Sequence, residues 1–346
     1  MREFTLEDFD YYLPKELIAQ EHVVPRHNSR LLVVKDKLYH KHFYDLPEFL
    51  NKGDVIVVNN TRVIPARFFG RKETGGKVEL LLIRRVDDDS WEAMIRGKNI
   101  REGTELLFDG FKVKVVNKEN GKFIIKLDNE MDEEELLSKG RMPLPPYIKK
   151  KLEDQEMYQT IYSKKKGAIA APTAGLHFTQ ELIDKIKKKG IDFVEITLHV
   201  SLGTFKPVHD LKNHKMDPEY YEVSEESALR INKAFNSGKQ VFAVGTTVVK
   251  TLETVADENG LVRAGVGLSD LFIKPGYEFK TKLTGMITNF HLPKSTLIMM
   301  VTAFGGYERV MNAYKEAIRL KYRFYSFGDA MLLFKFTNHE QKVYKS

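Results

Sequence analysis

Between residues 70 and 130 the texture of the chain changes, and this change constrains the fold more than any other feature. Short β-type runs, KVELLLI, WEAMI, TELLF, FKVKVV and KFIIKL, follow one another with turn-like DDDS, FDG and NKENG between them. Strands at this spacing predict a small antiparallel barrel or sandwich. The flanks read differently. From residue 168 onward apolar strand patterns alternate with helical ones, which predicts an α/β sheet. RMPLPPY, residues 141–147, forms a proline-stiffened exit from the β module. The expected fold class is therefore α/β with two domains. An α/β domain is built from both chain ends, 1–63 and 151–346, and a small antiparallel β-barrel is inserted at 64–150.

Local signals place the elements. Residues 15–22 read as a helix. DVIVVNNTRVIPARF (54–68) starts as a buried strand and breaks at Asn59-Asn60. TQELIDKIKKKG reads as a helix with Thr179 as N-cap, an apolar stripe at Leu182, Ile183 and Ile186, lysines in the last turn and Gly190 as the stop. VEITLHV alternates, with Val194, Ile196, Leu198 and Val200 on one face. ESALRINKAFNSG is an amphipathic helix. QVFAVGTTVVKTLETV and GMITNFHLPKSTLIMMVTAFGG each read as strand, short polar turn and helix. YERVMNAYKEAIRLKY is a long helix, YRFYSFGDAMLLF an aromatic turn before a strand, and FTNHEQKVYKS a polar tail.

Composition narrows the class of function. The chain has 346 residues, is 42% hydrophobic and contains no cysteine. A sizeable core is therefore expected, thiolate chemistry and cysteine zinc sites are excluded, and a reducing compartment fits. The charged start, MREFTLEDFDYYLP, carries no apolar signal segment, and no apolar run has membrane-helix length, so a soluble cytoplasmic protein is expected. The net charge is +7. Lysines cluster at 149–151, 164–166 and 185–189, either as solvated faces or as a surface for nucleic acid.

Three segments share one design of apolar strand, polar turn and helix: Ala170–Thr179, Val244–Thr247 and Asn289–Thr296. Loops at the carboxyl ends of strands and free helix N-termini suit anionic or nucleotide ligands. His177 and His291 are acid–base candidates by residue type, and each also has a plain structural reading. Asp329, after Gly328, is a candidate base or ammonium partner, or a turn cap. Arg62 has the planar fork that clamps a carboxylate, either a ligand's or a structural one of the protein itself. Tyr322, Phe324, Tyr325 and Phe327 are core residues or a stacking platform for a base. No HExxH, GxxxxGK[ST] or GxSxG occurs, and Gly265-Val266-Gly267 lacks a third glycine, so metal, ATP and dinucleotide sites are not indicated.

These segments together closely resemble a known family. AAPTAGLHFT, TNFHLPKSTL, AVGTT with KTLE, NNTRVIPAR, GRMPLPPYI and YRFYSFGDAML are similar to the S-adenosylmethionine:tRNA ribosyltransferase-isomerases of queuosine biosynthesis. The likeness runs from FDYYLPKELIAQ almost to the C-terminus. It implies that S-adenosylmethionine is a consumed substrate rather than a cofactor. Its ribosyl group moves to 7-aminomethyl-7-deazaguanine at the tRNA wobble position, giving epoxyqueuosine with loss of adenine and methionine. The implied partner is the anticodon loop of tRNAs with GUN anticodons, and a monomer is expected. The implied catalytic residues are His177, His291 and Asp329, in no fixed order. The methionine carboxylate falls to Arg62. Thr173, Gly175, Thr246, Thr247 and Ser295 would shape the substrate pocket, with Tyr322 and Phe327 contributing aromatic surface. The chain departs from the family pattern at His27, at Val248 and Lys250, and at Asp217. Two other readings stay open at this point: another S-adenosylmethionine-dependent RNA-modifying enzyme, and a tRNA-binding protein without catalysis.

Overall fold

The computed structural model describes residues 3–119, 121–128, 131–201, 208 and 210–336. The polar tail from residue 337 on lies outside them. Contacts divide the chain into two compact units. The described residues within Met1–Thr61, Pro146–Lys165 and Ala171–Ser346 form one, and those within Arg62–Pro145 and Lys166–Ala170 form the other.

In the larger unit, nine strands among the described residues form one sheet. Their order is Gly265–Ser269, Glu219–Val223, Asp192–Leu198, Val55–Asn59, Val241–Val244, Gly285–Asn289, Ala330–Phe334, Arg30–Val34 and Leu38–His42. The four strands Asp192–Leu198, Val55–Asn59, Val241–Val244 and Gly285–Asn289 are mutually parallel. Ala330–Phe334 runs against them and alongside Arg30–Val34. The carboxyl ends of the four parallel strands therefore share one edge with the amino ends of the other two. Asn59, Leu198, Val244 and Asn289 stand beside Arg30 and Ala330.

The core explains why these strands read as continuous apolar runs. Both faces of the sheet are covered, so neighbours in one strand serve opposite cores. Val55, Val57, Val241 and Ala243 pack with Ile231, Leu252, Val301 and Val310 from the helices Glu225–Asn236, Thr246–Val255, Thr296–Gly305 and Tyr307–Arg319. Ile56, Val58, Phe242 and Val244 pack on the other side with Leu182, Ile183 and Ile186 of the helix Gln180–Lys188. Thr179 caps that helix, its hydroxyl accepting from the Leu182 amide at 3.4 Å. The Val194 and Ile196 alternation is likewise observed, both residues being buried in the first of these cores.

Two expectations are corrected. Residues 15–22 are not a helix; only a 3-10 turn forms, over Lys15–Leu17. The backbone is drawn instead into a bridge with the far end of the chain, where Phe324 N donates to Leu17 O and Ala19 N donates to Phe324 O. The segment before AAPTAGLHFT is also not a strand of the main sheet, because Lys165–Ala168 pairs with Thr61–Val63 in a separate two-stranded sheet.

The smaller unit is a closed antiparallel barrel of six strands in the order Lys122–Leu127, Ser90–Arg96, Lys77–Arg85, Arg67–Lys72, Glu105–Phe108 and Phe111–Glu119. Inward residues alternate with outward lysines: Phe111, Val113 and Val115 are buried, while Lys112 and Lys114 are exposed. The short helix Glu133–Ser138, capped by Asp132, adds Leu136 and Leu137 to this core. The strand Arg67–Lys72 was not visible as a β-type run. Gly70 sits in it because a Cβ there would lie 2.3 Å from the Leu107 carbonyl oxygen.

Candidate active site

A cleft opens at the shared strand edge of the larger unit and takes in about 570 Å³ including its mouth. Its walls are the turn Pro172–Ala174, Gly245–Thr247, Thr288–Leu292, Leu297 and the pair Tyr325 and Ser326, with Tyr147 at one side. The polar ends of buried strands are what build it.

Gly245 ends the strand Val241–Val244 and precedes the helix Thr246–Val255. Its φ is +92°, a conformation that favours glycine, and no side chain caps this helix. The first-turn amides are thus left to the cleft, with Thr246 and Thr247 beside them. Asn59 fixes the neighbouring strand end. Its amide donates to Leu198 O at 2.9 Å and to Thr247 Oγ1 at 3.3 Å, while its Oδ1 accepts from the Thr61 and Leu198 amides.

Asn289 is the hub on the other side. Its Oδ1 accepts from the Thr173 hydroxyl at 2.9 Å, and its Nδ2 donates to Tyr325 O at 3.2 Å. The same Nδ2 lies 3.1 Å from His177 Nε2. A carbonyl can only accept, so the amide nitrogen faces both Tyr325 and His177, and His177 Nε2 must be unprotonated to accept from it. His177 Nδ1 lies 2.8 Å from Ser29 Oγ and its ring stacks on Phe43 with centroids 5.0 Å apart. Burial, and after it the nearby His22, Arg26 and Arg323, push its pKa down to about 3. His177 is therefore a neutral residue, satisfied at both nitrogens and 2% exposed, and it stands behind the cleft wall rather than in it.

His291 is placed differently. It lines the cleft. Its Nε2 lies 2.6 Å from Thr288 Oγ1, its backbone N–H donates to the Tyr314 hydroxyl oxygen, and its carbonyl accepts from the Tyr11 hydroxyl. Its Nδ1 has no hydrogen-bond partner among the described residues. Burial of the ring lowers its pKa to about 3, so at neutral pH it is uncharged.

Asp329 lies outside the cleft lining and holds the aromatic turn closed. Its carboxylate accepts from the Arg30 amide at 2.8 Å, from Arg30 Nε at 3.1 Å and from the Arg323 amide at 2.7 Å. Gly328 permits this tight return, since a Cβ there would meet the Arg323 carbonyl oxygen at 2.4 Å. The turn in consequence presents Tyr325, at φ +69°, and Ser326, whose hydroxyl is 2.6 Å from that of Tyr147.

Residues 6–333 match the queuosine biosynthesis protein family. A protein named S-adenosylmethionine:tRNA ribosyltransferase-isomerase from Carboxydothermus hydrogenoformans is 53% identical, over 95% of this chain and 99% of its own. The chain belongs to the queuosine biosynthesis protein family. A Clostridioides difficile protein of the same name is 51% identical over 94% of this chain and 98% of its own. A crystal structure of S-adenosylmethionine tRNA ribosyltransferase from Thermotoga maritima is 38% identical, covers 94% of this chain and 99% of its own, and superposes with a TM-score of 0.54.

Against this family background, the residues singled out by sequence separate into groups. Thr173, Thr246, Thr247 and His291 meet in the cleft. His177 supports it through Asn289. Gly175 faces away, because a Cβ there would lie 2.1 Å from the Tyr162 hydroxyl oxygen; its lack of a side chain serves packing. Ser295 caps the helix Thr296–Gly305 and donates to Leu292 O at 2.7 Å. Tyr322 lies under the Arg30 guanidinium, 4.1 Å from its ring, and contacts His40 Nδ1 at 2.9 Å. Phe327 is 1% exposed and packs on His22. Neither Tyr322 nor Phe327 lines the cleft. Arg62 belongs to the smaller unit, on the strand Thr61–Val63.

Several cleft residues carried no sequence signal of their own: Asn289, Tyr147, Ser326 and Leu297. An asparagine ending a fully buried strand is the one hint available, at Asn289 as at Asn59. Among the described residues no group of His, Asp and Glu is arranged to hold a metal ion, and no helix is long and apolar enough to cross a membrane. Some clustered lysines are already engaged. Lys164 pairs with Glu195 at 2.6 Å, Lys165 with Glu222 at 2.5 Å and Lys150 with Glu21.

Proposed function

We propose that this cleft transfers and isomerises the ribosyl group of S-adenosylmethionine onto the aminomethyl group of 7-aminomethyl-7-deazaguanine at the wobble position of tRNA. The product is epoxyqueuosine tRNA, and adenine and methionine leave. The observation that carries the reading is identity above 50% along essentially the whole length of proteins bearing that name. The cleft suits it chemically. A sulfonium acidifies the neighbouring ribose C5′ proton, and His291, neutral and with Nδ1 unengaged, is the proton acceptor at hand. The uncapped amides of the helix Thr246–Val255 and the hydroxyl of Thr246 supply donors for the nucleoside, and the Thr173 oxygen, whose proton goes to Asn289, supplies an acceptor.

S-adenosylmethionine is consumed, and no separate cofactor takes part. The nucleic-acid partner is the anticodon loop of tRNAs with GUN anticodons, single-stranded and able to offer a splayed base. The protein acts as a monomer in the cytoplasm. The test mixes the full chain with S-adenosylmethionine and tRNA carrying the aminomethyl precursor and measures free adenine. Adenine that depends on the precursor supports the reading. Salt-dependent tRNA binding without adenine overturns it in favour of a binding protein, and S-adenosylhomocysteine in place of adenine overturns it in favour of a methyltransferase.

A further inference from the structure

A second pocket continues from the cleft and shares Thr246, Thr247 and Leu297 with it. One part of its wall is apolar, from Met216, Leu271, Ile273 and Met300. The rest is charged or polar. Lys250 Nζ and Glu219 Oε2 stand 3.1 Å apart in the wall, each side chain 3% exposed. Glu219 is held from behind by the Ser201 amide, which donates to Oε1 at 2.8 Å. Thr296, the first residue of the helix Thr296–Gly305, also faces this pocket. It is 4% exposed, and its Oγ1 has no hydrogen-bond partner among the described residues.

Each of these features is costly without a ligand. A buried hydroxyl left unpaired forfeits its desolvation, and a buried ion pair rarely gains stability over apolar packing. A helix N-terminus carries partial positive charge. The pocket thus offers a positive group at Lys250, with the Thr296 hydroxyl and the helix start also in its wall, a negative group at Glu219, and an apolar wall. One chemical class meets all three, a zwitterionic α-amino acid with an apolar side chain.

We infer that this pocket binds the methionine end of S-adenosylmethionine, with Lys250 and Thr296 on the α-carboxylate and Glu219 on the α-ammonium. The inference rests on the proposed function. It moves the carboxylate from Arg62, where the family resemblance put it, to Lys250. The nucleoside then occupies the first cleft and the sulfonium lies along the shared wall of Thr246, Thr247 and Leu297. The polarisable sulfurs of Met216 and Met300 and the methylenes of Leu271 and Ile273 take the side chain.

Decarboxylated S-adenosylmethionine, which keeps the nucleoside, the sulfonium and the ammonium, provides the test. Adenine release is followed with saturating precursor tRNA, and kcat/KM is compared for the two donors. The wild-type chain prefers the intact donor by about tenfold or more, the range for a charge-assisted hydrogen bond. In Lys250→Met that preference collapses to about threefold or less, and in Thr296→Val it falls severalfold. Thr296→Val is nearly isosteric and removes an unpaired hydroxyl, so it folds even if Lys250→Met does not. An unchanged preference in the folded variants overturns the assignment, as does a wild-type chain indifferent to the carboxylate. No adenine from intact donor and wild-type protein is a different result, and overturns the proposed function beneath it.

Discussion

Replacing His177 tests the division between residues that work in the cleft and residues that hold it. His177→Ala removes contacts at both ring nitrogens. Ser29 Oγ, in a residue 2% exposed, loses its partner, and Asn289 keeps only one of the two acceptors of its amide hydrogens. Each buried group left unsatisfied costs about 1–3 kcal/mol. The lost packing on Phe43 and the space left behind add roughly 2 kcal/mol. The sum, about 4–8 kcal/mol, is a large part of ordinary domain stability. At roughly 2–4 °C per kcal/mol, thermal unfolding should move down by roughly 8–30 °C. His177→Gln, which retains an amide near Asn289, should lose less. The decisive assay is kcat/KM for adenine release from pH 6 to 8.5. With its pKa near 3, His177 stays neutral throughout that range, so wild type and His177→Gln should give curves of one shape that differ by a constant factor. A limb near pH 7 in the wild type that vanishes in the variant would refute this reasoning and return His177 to acid–base duty.

Acid should weaken the fold through the same histidine. The unfolded imidazole takes a proton near pH 6.5 and the folded one only near 3, so stability is lost as pH falls between these values. The loss is about 2 kcal/mol by pH 5, and melting curves at pH 7, 6 and 5 should be shallower in pH for His177→Gln; equal slopes would oppose it. Gly175→Ala should destabilise by about 1–3 kcal/mol through overpacking on Tyr162 and Thr160, and a denaturant midpoint equal to wild type would show that the turn yields. Asp329→Asn should cost about 3 kcal/mol, because an amide cannot accept at both oxygens from Arg30 and Arg323. If activity instead fell by several orders of magnitude while the unfolding midpoint stayed put, Asp329 would be reacting and not bracing.

What the sequence made legible followed from local physics. The helix Gln180–Lys188 carries its own cap, stripe and stop within twelve residues. The barrel strands alternate with a period of two and are set off by turn residues. Both kinds of signal sit inside a short window. The failures all depended on distant partners. Residues 15–22 have a helical pattern, but their backbone bonds go to Phe324, some 300 positions away. The strand at Arg67–Lys72 is hidden by Gly70, which is required by a neighbouring strand.

The site divides along the same line. Residue type flagged His177 and His291 equally, because both are imidazoles beside a strand–turn–helix junction. Their partners distinguish them. His177 is enclosed by Ser29 and Asn289, two residues far apart in sequence, and cannot gain a proton without setting one N–H against another. His291 is tied at Nε2 alone and has its other nitrogen free of described partners. Lys250 and Glu219 carry the point further. In the sequence they are a helix lysine and a strand-edge glutamate, ordinary surface residues by type. Only the sheet order brings Glu219–Val223 alongside Asp192–Leu198 and buries the pair beside the cleft. A charge pair withdrawn from water in a pocket that also holds an unpaired hydroxyl is a structural signal for a ligand, because folding alone gains little from either.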